Sequence, residues 1–121
     1  MTNHGDFSPE ARAAAAHKAH AAGVFAEHAE VIVAALVDVP DGHVLVAVVD
    51  DAHDFAGTHH VAQDEIVARV PELEGAGGHA MVFTPGACGG AEDVRRRTEE
   101  MATLARRRGE MIDRILSRKR G

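Results

Sequence analysis

Two valine-rich runs separated by a Pro-Asp-Gly turn constrain this chain more than any other feature. Val31-Ile32-Val33-Ala34-Ala35-Leu36-Val37-Asp38-Val39 precedes Pro40-Asp41-Gly42, and His43–Asp50 follows at once with Val44, Val46, Val48 and Val49. β-branched residues favour strands, whereas Ala34, Ala35 and Leu36 would also continue a helix. The turn decides the reading, because a three-residue connection with glycine at its end suits a β-hairpin. Both runs are apolar on both faces, so helices or a second subunit must cover each side of the sheet.

The flanking segments supply those helices. Ser8 can cap a helix, Pro9 suits its first position and Glu10 complements its dipole. The alanine-rich run 11–22 carries that helix to about residue 29, with Gly23 as an end or a joint. Residues 51–58 read as a polar loop, and 61–70 as a short amphipathic helix stopped by Pro71. Gly75-Ala76-Gly77-Gly78 is a turn, residues 79–84 form a third strand, and 85–90 lead into a last helix spanning about 91–118. The reading is a single small α+β domain of order α-β-β-α-β-α, with a mixed or antiparallel sheet and a long C-terminal helix. Residues 1–7 are expected to be flexible, 8–117 to form the domain and 118–121 a basic tail.

In that last helix Val94, Thr98, Met101, Ala105, Arg108, Ile112 and Ile115 alternate at steps of four and three, the spacing of a helix seam. Thr98 and Arg108 at core-type positions and Gly109 in the middle weaken it, and Leu104 and Met111 widen the apolar stripe. Packing on the chain's own sheet therefore competes with self-association. Four Phe with no Tyr or Trp leave the core to small aliphatic side chains, which favours homo-oligomerisation as added support.

Charge divides the chain sharply. Residues 1–90 carry thirteen acidic and three basic side chains, for a net −10, and residues 91–121 carry ten basic and six acidic, for +4. The basic groups cluster as Arg95-Arg96-Arg97, Arg106-Arg107-Arg108 and Arg118-Lys119-Arg120. Such asymmetry suits a protein partner or a second copy, and clustered arginines could also contact nucleic-acid phosphates. Three consecutive arginines spread around most of a helix, however, and Glu99, Glu100, Glu110 and Asp113 can pair with some of them. Without Tyr or Trp to stack bases, single-stranded nucleic acid is a poor match.

The most chemically loaded stretch runs from Asp50 to His60. Asp50, Asp51, His53, Asp54, His59 and His60 combine the carboxylate and imidazole donors that hold divalent metals, with His79 as a distal candidate. The spacing fits neither an HExxH helix nor a Cys/His finger, so residue type alone carries that reading. His17, His20 and His28 are expected to be solvated on the first helix, and clustered imidazoles could also act as an acid-sensitive switch. Gly86-Ala87-Cys88-Gly89-Gly90 lies where amides can hold an anion, but Glu92 and Asp93 would repel phosphate. Cys88 at that helix start could be a nucleophile, although a lone cysteine more often serves as a small hydrophobe.

A single cysteine and a start without a basic, apolar leader point to the cytoplasm, and no apolar run approaches the roughly 20 residues that span a bilayer. Three functions remain. The leading one is a non-enzymatic assembly or adaptor protein that self-associates and docks a partner through its charged last helix. The others are a metal-dependent enzyme built on the 50–60 loop, with hydrolysis as the candidate reaction, and a nucleic-acid-binding protein built on the arginine clusters.

Overall fold

The computed structural model describes residues 8–86 and 89–120. Its elements are α1 (Pro9–Glu27), α2 (Ala29–Leu36), β1 (His43–Val49), β2 (Phe55–Ala62), α3 (Ile66–Glu74, entered by a single 3-10 turn), β3 (His79–Phe83) and α4 (Ala91–Arg120). The three strands form one antiparallel sheet in the order β2-β1-β3. The expected α+β class, single domain and long last helix are all present.

β1 explains the architecture. Its six residues Val44–Val49 are all buried, and alternation sends them to two different cores. Leu45, Ala47 and Val49 join Phe25, Ile32, Phe83 and Val94 beneath α1, α2 and α4. Val44, Val46 and Val48 join Val61 on the other face, where Ile66, Val70 and Leu73 of α3 pack against them. The sheet is covered on both sides, as the two-faced apolar pattern of this run demanded.

The hairpin partner differs from the expected one. Residues 31–39 do not form a strand: Ala29–Leu36 is α2, which meets α1 at a 67° bend around His28. Helical rather than twofold spacing governs the burial, with Ala29 and Ile32 inside while Val31 and Val37 stay exposed. The segment read as a polar loop, 51–58, instead yields β2, whose residues pair in register with β1 from His43 opposite Ala62 to Val46 opposite His59. β2 is an edge strand, and Ala56, Gly57, Thr58 and His60 can be polar or small because only Val61 is fully buried. The following helix accordingly begins at Ile66, and Pro71 sits inside it rather than ending it.

α1 starts as expected, with the Ser8 hydroxyl accepting the Ala11 N–H. α4 lies antiparallel to α1: Arg12 near the start of α1 pairs with Asp113 late in α4, and Arg95 early in α4 pairs with Glu30, just beyond the end of α1. Small residues, Ala15, Ala22, Ala102, Ala105 and Gly109, are buried on these two helices and permit close approach. Val94, Thr98, Ala105 and Ile112 of the seam are buried within this chain. Thr98 donates its hydroxyl hydrogen to the Arg95 carbonyl, so its polar group is satisfied. α4 continues through Arg120, and no structural break marks the tail expected from 118. The expected flexible start, 1–7, lies outside the described residues. Among the described residues no single helix is long and apolar enough to cross a membrane.

Candidate functional site: a cluster of four imidazoles

Sequence distance conceals the strongest chemical feature of the molecule. His17 and His20 occupy successive turns of α1, His53 lies in the turn between β1 and β2, and His79 opens β3. Their rings meet: His17 and His53 have ring centres 4.1 Å apart, His20 and His53 4.3 Å, and His17 and His79 4.6 Å.

Each position has a local cause. The Asp50 carboxylate accepts the N–H groups of Ala52 and Asp54, which folds the chain into a tight turn. His53 closes that turn with φ of 69°, a left-handed conformation that histidine adopts more readily than most residues. His79 lies opposite Val49 in the ladder, so its strand begins beside the same turn. Gly78 makes this possible, because a Cβ there would stand 2.4 Å from the Glu74 carbonyl oxygen and 2.9 Å from that of Val49. Glu74 then accepts the Ala80 N–H through its carboxylate and fixes the start of β3.

The cluster is only partly satisfied. Both ring nitrogens of His17 and the Nδ1 of His53 are buried with no hydrogen-bond partner. A buried polar group of this kind costs about 1–3 kcal/mol relative to a paired one. Burial and the neighbouring imidazoles His17 and His20 lower the pKa of His53, against the opposing pull of Asp50 and Asp54. Burial, then His17, lower that of His79, with Glu74 pulling upward and Lys18 adding to the depression. Both groups therefore favour the neutral ring. Among the described residues no group of three or more His, Cys, Asp or Glu side chains is placed to hold a metal ion as it stands.

The residues singled out as metal donors are distributed differently. Asp50 holds the turn, Asp51 and Asp54 are exposed beside it, and His53 alone of the six joins the cluster. His59 and His60 are consecutive on β2, where side chains point to opposite faces, and they pair across from Val46 and Leu45. His79, the distal candidate, does meet His53's neighbour His17. His17 and His20, expected to be merely solvated, bring α1 to the site, and their spacing of one helical turn was the available signal. His28 is separate, stacked on Phe55 at 4.3 Å and hydrogen-bonded to the Val24 carbonyl.

The arginine clusters disperse in the same way. Arg95 pairs with Glu30, Arg96 with Asp93 and Glu100, and Arg106 with Glu99. Arg97 donates to the Val82 carbonyl and lies over the Phe83 ring at 4.9 Å. Asp93 also accepts the Gly89 N–H, and this bond together with Arg96 holds its carboxyl below the ordinary range. Arg107, Arg108 and Arg118 lie exposed on the later turns, while Cys88 and the side chains of Lys119 and Arg120 fall outside the described residues.

Compared with known proteins, the chain matches no family model, no curated protein and no solved structure.

Proposed function

We propose that this protein binds a divalent transition-metal ion through His17, His20, His53 and His79. The observation that carries the reading is His17, whose two ring nitrogens are both buried and both without a partner. Imidazole is the donor that suits Zn, Ni, Cu and Fe, and a cation would satisfy one nitrogen of each ring that nothing in the chain reaches. With metal–nitrogen bonds of about 2.0–2.1 Å, two imidazoles on one tetrahedral ion have ring centres roughly 5 Å apart. The three spacings of 4.1–4.6 Å fall short of this value, so uptake asks the rings to turn and spread apart. The terminal torsion of histidine is broad and permits such rotation.

This reading moves the metal function from the 50–60 loop as a whole to one residue of it, His53, joined by α1 and β3. Asp50 and Asp54 then act near the site as carboxylates that orient and neutralise. Isothermal titration of the metal-stripped chain with Zn or Ni alone, checked by native mass spectrometry, provides the test. One ion per chain is expected, lost in the His17→Ala and His53→Ala variants and retained in His60→Ala. A stripped wild-type chain that takes up neither ion removes the proposal.

A further inference from the structure

α4 exposes two large apolar side chains, Leu104 and Met111, beside the line it buries. Val94, Thr98, Ala105 and Ile112 face the chain's own core. On the adjoining flank Leu104, Arg108, Met111 and Ile115 follow at steps of four and three, the period that keeps a line of side chains on one side of a helix. Leu104 is 65% exposed and Met111 36%, which leaves two large apolar side chains in solvent on one side of the helix. Clefts of about 270 Å³ and 350 Å³ open on the two sides of Leu104, the first against Ala15 and Lys18 of α1 and the second between Glu100 and Arg107.

Charge along this flank discriminates among ways of covering it with another copy. A parallel pairing at Leu104 places Glu100 against Glu100, Arg107 against Arg107 and Arg108 against Arg108. An antiparallel pairing of Leu104 with Met111 brings Arg107 of one copy to Arg108 of the other. An antiparallel pairing of Leu104 with Leu104 instead places each Glu100 opposite the other copy's Arg108, and Met101 opposite Arg107. All three bury an apolar pair, but only the last also joins opposite charges, and twofold symmetry makes the Glu100–Arg108 contact twice.

We propose that α4 pairs with α4 of a second copy, antiparallel and centred on Leu104, to form a homodimer. The interface is independent of the imidazole cluster, which lies where α1 meets the β1–β2 turn and the start of β3. Glu100 keeps its own-chain partner Arg96 at 3.4 Å, so at the interface it sits between two guanidinium groups.

The test is analytical ultracentrifugation of the full chain over a concentration series, with circular dichroism to confirm that each variant is folded. Wild type is expected as a dimer, and Leu104→Glu should raise the dissociation constant about a hundredfold. Glu100→Arg and Arg108→Glu should each raise it about tenfold, because each puts like charges together. Mixing those two variants restores both opposite-charge contacts, and a heterodimer close to wild-type strength is expected. A wild type that is monomeric throughout, a folded Leu104→Glu variant that dimerises undiminished, or a mixture no tighter than its components would each overturn the proposal.

Discussion

The imidazole of His17 lies 4.1 Å from that of His53, and this contact ties the first helix to a turn 36 positions later in the chain. It sits inside a cluster whose other members, His20 and His79, are imidazoles as well. Acid should therefore weaken the attachment of α1 to this end of the sheet.

The sign follows from the depressed pKa values of His53 and His79, both lowered from 6.5 chiefly by burial. In the unfolded chain these groups take up protons near pH 6.5, whereas the folded chain resists until lower pH. Their contribution to stability is present above about 6.5 and lost as pH falls through the folded values. Thermal unfolding of the metal-stripped chain between pH 8 and 5 should show a falling midpoint below about 6.5. His17→Phe, which removes the neighbouring imidazole that helps to lower both values, should flatten that decline.

Gly78→Ala should be among the most damaging single-methyl changes. The added Cβ meets backbone oxygens at 2.4 and 2.9 Å, and neither belongs to a side chain that can swing away. A loss of about 2–3 kcal/mol is expected, measured by urea unfolding. The same variant should displace His79 and weaken uptake of metal.

Gly109→Ala presents the opposite case. Its Cβ would stand 2.6 Å from the Arg12 guanidinium, but that group is the far end of a flexible, partly exposed side chain. Alanine gains about 0.8–1.0 kcal/mol of helix propensity, while the exposed Arg12–Asp113 pair is worth only about 0–1 kcal/mol. The variant should unfold at an equal or higher temperature than wild type. A clear drop in the midpoint would mean that Arg12 is held more rigidly than its exposure indicates.

Phe83→Ala should cost about 3–5 kcal/mol, because Phe83 is fully buried in the core shared by α1, α2 and α4. It also removes the ring beneath the Arg97 guanidinium. Arg97→Ala, which leaves the core intact, should cost much less, and chemical denaturation of both variants separates the two effects.

Much of the fold was legible from local chemistry. Ser8-Pro9-Glu10 marked the start of α1, the uninterrupted valines of β1 announced a strand buried on both faces, and α4 followed its own period. Residues 31–39 misled because β-branched composition competes with helix-forming Ala34, Ala35 and Leu36, and only packing against β1 and α4 settles which wins. β2 carried almost no signal of its own, since an edge strand containing Gly57, His59 and His60 takes its conformation from the partner it pairs with. The imidazole cluster was half visible: His53 and His79 were noted, and His17 and His20 shared a helix face. What no sequence pattern conveys is that α1 crosses the end of the sheet at the turn carrying His53.

The central position of β1 has a kinetic consequence. Its amides are bonded to a strand on either side and roofed by a helical layer above and below, so no local fraying reaches them. Amide hydrogens on β1 should exchange with deuterium only when the whole domain opens, while those on the outer edge of β2 exchange through small fluctuations. The slowest-exchanging amides of this protein thus report its global opening, and the others measure how readily each layer lifts away from that strand.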